Sequence, residues 1–383
     1  MILVKKKVLI VTERRADYSK FRPILKKISQ SKKLDYFLIV TGTHLLKEYG
    51  NTIKEIKKDG FKITGVFPMY KKNSPDTGSE MVRAFGRAIN NLTTKIEKIK
   101  PDIILAGFDI GANFASAIIG SHMNIPVAHV EGGEITGTID ESIRHATTKF
   151  AHLHFTSNSE ATKRLLKMGE NPKYVFTVGN PSIDAILDVK NIPKEILEKK
   201  YNLDFKKPFL IMLQHTVTSE IDEINTHVLK TIQAIKEIDV QAIIIYGNAD
   251  AGSKKISQVI KNSKIKQYTT IPFDEFINLL KHSSALIGNS SSGIIEAQFL
   301  HIPSINIGTR QQGRLRANSV IDVGYDKKQI KNAIIKVIWN KFFLNKIKKS
   351  KSLYGNGHAS DKIINILEHT NLKKIPIQKK MTY

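Results

Sequence analysis

Carboxylates stand where short apolar runs end. Ala106-Gly107-Phe108-Asp109 closes one run, and His129-Val130-Glu131-Gly132-Gly133-Glu134 closes the next, with Asp140 and Glu141 shortly after. Carboxyl groups gathered in one place raise each other's pKa and suit general acid–base work. The Gly132-Gly133 pair lets the backbone approach a ligand closely. In the second half, Leu213-Gln214-His215 sets a histidine at a run's end. Further on, Ile287-Gly288-Asn289-Ser290-Ser291-Ser292-Gly293 leads into helical text containing Glu296. Serine hydroxyls and free amides at a helix N-terminus hold phosphate without a metal. Glu296, about one turn in, is placed to accept a ribose hydroxyl, and Arg310 after the next run adds a cation. Arg14 and Arg15 follow the first run, where cations are disfavoured unless an anion is to be bound. Asp17 or Ser19 is placed to cap that helix. Taken singly, each of these residues is well explained as a cap, a surface group or a core histidine. Their recurrence at successive run ends argues for chemistry.

The elements that must position them are strands alternating with helices. Lys7–Thr12, Tyr36–Thr41, Pro101–Ala106, Pro126–Glu131 and His154–Ser157 read as strands, with helical text at Tyr18–Gln30 and Ser79–Ile99. The pattern restarts with strands at Pro208–Gln214, Gln241–Gly247, Ala285–Gly288 and Pro303–Ile307. Ile/Val/Leu runs that each feed a helix predict parallel sheets covered on both faces. The expected class is α/β, with two doubly wound Rossmann-like domains facing a cleft. Residues 1–180 form the first domain, 181–355 a second, nucleotide-binding one, and 356–383 a C-terminal segment. Ligands in such folds lie outside the carboxyl ends of the strands.

Composition narrows the function. The chain has 383 residues and no cysteine, which removes thiol nucleophiles, disulfides and cysteine-based metal sites. The net charge of +25 comes mainly from lysines scattered through helical text, and no zinc finger, RNP-like motif or basic heptad array accompanies them. The expectation is no nucleic-acid or membrane partner. Val8–Val11 is too short an apolar run for a signal sequence, and no run approaches a membrane span, so a soluble, cytoplasmic protein is expected. There is no Walker A sequence, no GxGxxG after the first strand, no HExxH and no G-x-S-x-G. His152 and His154 alternate on a strand without a third ligand, so no metal site is expected.

The assembled text resembles the hydrolysing UDP-N-acetylglucosamine 2-epimerases, both the bacterial sialic-acid pathway enzymes and the epimerase half of the vertebrate bifunctional epimerase/kinase. The resemblance covers about residues 7–365. It rests on Arg15-Ala16-Asp17-Tyr18-Ser19-Lys20, His44-Leu45 with Tyr49-Gly50-Asn51-Thr52, and Glu131-Gly132-Gly133-Glu134 through Gly137-Thr138-Ile139-Asp140 and Ser142-Ile143-Arg144-His145. It continues through Gln214-His215, Asn248, Asp250–Lys254, Pro272-Phe273-Asp274, Gly288–Ser291 and Gly308-Thr309-Arg310-Gln311. It implies a GT-B-like fold with a UDP-sugar in the cleft. It implies nucleotide binding by Arg15, Ser19, Asn248, Ile271, Ser290, Ser291, Glu296 and Arg310. The catalytic group it implies is Asp109, Glu131, Asp140 and His215, with Asp184 a weaker candidate. It also implies a last helix crossing back to the first domain and a homodimer or homotetramer. One departure stands out. Gly107-Phe108-Asp109-Ile110 replaces the family's Gly-Asp-Arg, with one residue inserted, so Ile110 stands where an arginine would meet the nucleotide.

The reaction so implied converts UDP-N-acetylglucosamine and water to N-acetylmannosamine and UDP, feeding sialic-acid-type synthesis. The C2 hydrogen is not beside a carbonyl and is poorly acidic. UDP therefore leaves C1 through an oxocarbenium-like state, and a carboxylate then takes the C2 proton anti to it, giving a 2-acetamidoglucal that water adds to. No cofactor or metal is required by this scheme. His215 protonates or holds the leaving phosphate, and the choice of base among the three carboxylates stays open. Non-hydrolysing epimerization, glycosyl transfer and nucleotide-sugar binding without catalysis are the competing readings, the last motivated by Phe108 and Ile110.

Overall fold

The computed structural model describes residues 4–382. In the first lobe the strands are β1 (Lys6–Thr12), β2 (Leu34–Val40), β3 (Ile63–Val66), β4 (Ile103–Gly107), β5 (Val127–Val130), β6 (Leu153–Thr156) and β7 (Val175–Thr177). They pair in parallel in the order β3-β2-β1-β4-β5-β6-β7. The second lobe contains β8 (Phe209–Leu213), β9 (Gln241–Ile245), β10 (Lys266–Tyr268), β11 (Ala285–Gly288), β12 (Ser304–Ile307) and β13 (Val320–Val323). Its order is β10-β9-β8-β11-β12-β13, again parallel throughout.

The apolar runs form these sheets because both faces are covered. Along β1, Val8 and Ile10 join one core layer while Leu9 and Val11 join the layer on the opposite face. Side chains alternating with period two are buried either way, so the sequence shows a continuous run rather than an alternation. Four strands are not marked by the sequence pattern: β3, β7, β10 and β13. All four are sheet edges. They are three or four residues long and only partly buried, so they lack the continuous apolar run of a central strand.

Strand order reverses between β1 and β4 in one sheet and between β8 and β11 in the other. At such a switch point adjacent strands send their connections to opposite faces, which opens a crevice at their carboxyl ends. Gly288 is required at the second one. Its φ is +128°, and a Cβ there would collide with the Leu213 carbonyl at the end of β8.

The helix Ala359–His369 returns to the first lobe, where Ile363, Ile364 and Leu367 share a core with Val8, Ile10 and Phe21. Lys6 Nζ ties down its C-terminus, donating to the carbonyls of Leu367, Glu368 and Thr370 at 2.9, 3.0 and 2.8 Å. Its N-terminus is held by Asp184, which accepts from the amides of Ala359 and Ser360 at 3.1 and 2.7 Å. His152 and His154 are structural as well. His152 donates to the Ile377 carbonyl at 3.0 Å, and His154 pairs with Glu170 at 3.0 Å. No described helix is long and apolar enough to cross a membrane.

Candidate active site

The two switch points face each other across one cavity. Its wall includes Asp109, Glu131, Asp140 and His215, and also Arg15, Ser19, Asn248, Ser290, Ser291, Glu296 and Arg310. These side chains lie far apart in the chain and arrive from both lobes. Ile271 is the exception. Its side chain is fully buried in the second lobe's core, and it takes part only through its carbonyl, which accepts from Arg15 across the cleft. Asp184 is not in the wall; it is the cap described above.

The first-lobe part is built at the ends of β1, β4 and β5. Arg14 stands at the N-cap position of the helix Arg15–Gln30, and Asp17 accepts the amides of Glu13 and Arg14 at 2.8 Å each. Capping therefore falls to Asp17, while Ser19 donates to the Ala16 carbonyl at 2.9 Å. Phe108 and Glu131, directly after β4 and β5, both adopt left-handed backbone, with φ of 70° and 64°. Such conformations are costly for non-glycine residues and cluster at functional sites. At both strand ends the turn begins one residue after the strand.

Charge is arranged around each carboxylate differently. Asp109 is clamped by Arg14 at 3.2 Å on one oxygen and by Arg144 on the other. Burial alone would raise its pKa, but Arg144, Arg14 and Lys20 override that and hold the carboxyl well below the usual range. Glu131 Oε1 accepts from Lys20 at 2.6 Å and from Asn180 at 2.8 Å. The Lys20 ammonium also sits 4.6 Å from the Phe108 ring centroid, a cation–π contact that fixes its direction. Asp140 meets Arg310 at 3.4 Å. Burial and the neighbouring Asp109 push Asp140 upward, with Arg310 opposing. One carboxylate is thus firmly ionised beside another that takes a proton more readily, a division suited to proton transfer.

The second-lobe part is a set of loops stapled together by Asn289. Its side chain accepts from the His215 amide at 2.6 Å and donates to the His215 carbonyl at 2.9 Å. Its own carbonyl receives Arg310 at 3.2 Å and Gln311 at 3.0 Å. Burial, reinforced by Arg310, Arg14 and Arg15, pushes the His215 imidazole well below its usual value. The ring is therefore neutral near pH 7. Its Nδ1 accepts from the Asn248 amide at 3.3 Å, leaving Nε2 as the donor. This arrangement favours holding an anion over protonating one. Glu296 Oε2 is buried without a partner, an open acceptor in the cavity wall.

The serine turn differs from expectation. Ser291–Gly293 forms a 3-10 turn, and Glu296 opens a helix of only 4 residues. So short a helix has little macrodipole, and anion affinity rests on the hydroxyls, amides and Arg310. The replacement of an arginine by Ile110 does not leave the cavity short of cations. Arg14, Arg15, Lys20, Arg310 and Arg314 line it, while Ile110 is a buried part of the wall. Arg14 is read from the sequence only as an anion-binding cation, and Lys20 and Arg144 fall within the resembling text without a role of their own. Arg314 carried no signal beyond following Arg310 by four residues in a loop.

Residues 26–368 match the UDP-N-acetylglucosamine 2-epimerase family model. A Legionella pneumophila protein named UDP-N,N'-diacetylbacillosamine 2-epimerase (hydrolyzing) is 36% identical over 368 residues, covering 95% of this chain and 96% of that one. A Neisseria meningitidis serogroup B UDP-N-acetylglucosamine 2-epimerase is 33% identical over 332 residues, 86% of each chain. Among solved structures, UDP-GlcNAc 2-epimerase from Neisseria meningitidis bound to UDP-GlcNAc superposes with a TM-score of 0.82 at 20% identity, covering 94% of this chain and 99% of that one. Sequence relationship along nearly the whole chain and a shared two-lobed fold agree, and the chain belongs to the UDP-N-acetylglucosamine 2-epimerase family.

Proposed function

We propose that this protein is a hydrolysing 2-epimerase that converts UDP-N-acetylglucosamine and water to N-acetylmannosamine and UDP, supplying sialic-acid-type synthesis. The observation that carries this reading is the convergence of Asp109, Glu131 and Asp140 from one lobe on the Ser290-Ser291 turn, Arg310 and His215 of the other. The turn and Arg310 stabilise charge as the C1–O bond breaks and UDP departs with the bonding electrons. A carboxylate takes the C2 proton, and those electrons form the C1=C2 bond of 2-acetamidoglucal. Water then adds its hydroxyl to C1 while a proton returns to C2 on the opposite face. Glu131 and Asp140 are the groups for the two proton transfers, with Asp109 holding charge. His215 donates Nε2–H to a departing phosphate oxygen.

The test is turnover in deuterated water followed by NMR. Free UDP and N-acetylmannosamine carrying deuterium at C2 are expected; product without C2 deuterium overturns the scheme. Glu131→Gln is expected to lower turnover by about 100-fold or more, the scale of a lost general base, while UDP still binds.

A second reading concerns the sugar. The Legionella relative is named for a diacetylated bacillosamine, and Phe108 and Ile110 give the cavity an apolar stretch suited to a deoxygenated, acylated ring. Comparing kcat/KM for the two UDP-sugars decides between them.

A further inference from the structure

Arg314 lies in the loop between β12 and β13, in the second lobe, yet its guanidinium points at carboxylates of the first. Nη2 is 3.9 Å from Glu131 Oε2, and Nε is 3.6 Å from Glu134 Oε2. These exceed hydrogen-bond lengths and act as charge-to-charge attractions. They are strong ones, because the three side chains are 3–4% exposed and water screens them little.

Other contacts show what this arginine adds. Lys20 and Asn180 both grip Oε1 of Glu131, so on their own they leave the carboxylate free to pivot about that oxygen. Arg314 faces the other oxygen, Oε2, from the opposite lobe, and so limits that pivot. Arg314 is itself fixed. Its Nη1 donates to Gln311 Oε1 at 3.2 Å, and Gln311 donates to the Asn289 carbonyl next to Ser290 at 3.0 Å. A continuous series of contacts therefore joins the serine turn of one lobe to the carboxylate of the other.

We propose that Arg314 is a positioning residue for Glu131, delivered from the opposite lobe and linked through Gln311 and Asn289 to the turn that holds the nucleotide. This rests on the epimerase reading above. Arg314 acts through Glu131, and its loss lets the carboxylate swing about Oε1 while the nucleotide contacts stay in place. A displacement of about 1 Å at a reacting group is enough to cost about 100-fold in rate.

The experiment compares wild type, Arg314→Lys, Arg314→Met and Arg314→Met combined with Glu134→Gln. In Arg314→Met, kcat is expected to fall about 100-fold, with KM and UDP affinity within about threefold of wild type. Arg314→Lys, which keeps the charge, is expected to recover part of kcat. The double variant tests whether the defect is only an unpaired charge on Glu134; it is expected to stay slow. Recovery in the double variant, or loss of UDP affinity comparable to the loss of kcat, overturns the proposal. A crystal structure of Arg314→Met with UDP gives a readout that needs no turnover. Glu131 is expected to be rotated away from its wild-type place, and an unmoved Glu131 overturns the proposal. If wild type fails to turn over either UDP-sugar, the epimerase reading falls, and the crystallographic result still judges the positioning role.

Discussion

Arg144→Met removes the more buried of the two clamps on Asp109. The Arg144 side chain is 1% exposed and pairs with Asp109 Oδ2, while Nη1 donates to the Glu134 carbonyl at 2.9 Å. Methionine keeps the apolar length of the side chain and removes the charge. Breaking a buried ion pair by deleting one partner costs about 3–5 kcal/mol. Here Arg14 stays 3.2 Å from the other oxygen and Asp109 is 18% exposed, so the lower end, about 3 kcal/mol, is expected. The sign of its pH dependence follows from linkage. In the wild type the folded pKa of Asp109 is depressed, so the pair stabilises above the unfolded value of about 3.9 and is lost only as pH falls through the folded value. Without Arg144, burial is less opposed and the carboxyl takes up a proton at higher pH. The stability gap between the two proteins is therefore full at about pH 7–8, where the carboxyl is ionised in both, and narrows once pH falls through the variant's raised folded value. Urea denaturation at a series of pH values measures it, with equal m-values showing that the denatured states are comparable. A gap that stays constant as pH falls from about 8 through the whole range in which the carboxyl protonates refutes the charge argument and assigns Arg144 to packing.

Three further outcomes follow from the structure. If Asp140 serves as the base, it must be ionised, and its raised pKa sets an acid limb in kcat/KM; Asp140→Asn removes that limb, whereas the neutral His215 contributes none between pH 6 and 8 (a limb in that range lost in His215→Gln contradicts this). Gly288→Ala places a methyl group against the Leu213 carbonyl in a conformation alanine avoids, and a loss of more than about 2 kcal/mol in chemical denaturation is expected. Asp184→Ala removes the cap of the last helix, costing about 1 kcal/mol and speeding amide exchange in Ala359–His369, with kcat unchanged; a large kcat loss at unchanged stability returns Asp184 to the chemistry.

The sequence by itself determined the parallel sheets and much of the cavity wall. Runs such as Val8–Val11 have one stable use, a strand covered on both faces, and the turns after them must then gather at one end of each sheet. That is why Asp109, Glu131, His215 and Ser290 were legible as a group: their meeting follows from strand ends, which apolar runs mark. The edge strands β3, β7, β10 and β13 were not legible, because a half-exposed strand of three or four residues has no continuous run to show. Tertiary structure alone decided which charges meet. Asp109 sits with Arg144, 35 residues later, and Glu131 with Arg314, from the other lobe. Ion pairing depends on a few ångströms between side-chain tips, a distance that no pattern along the chain encodes. The same holds for Asp184, an acidic residue among catalytic candidates in sequence and a helix cap in space, since only the fold brings Ala359 and Ser360 to it.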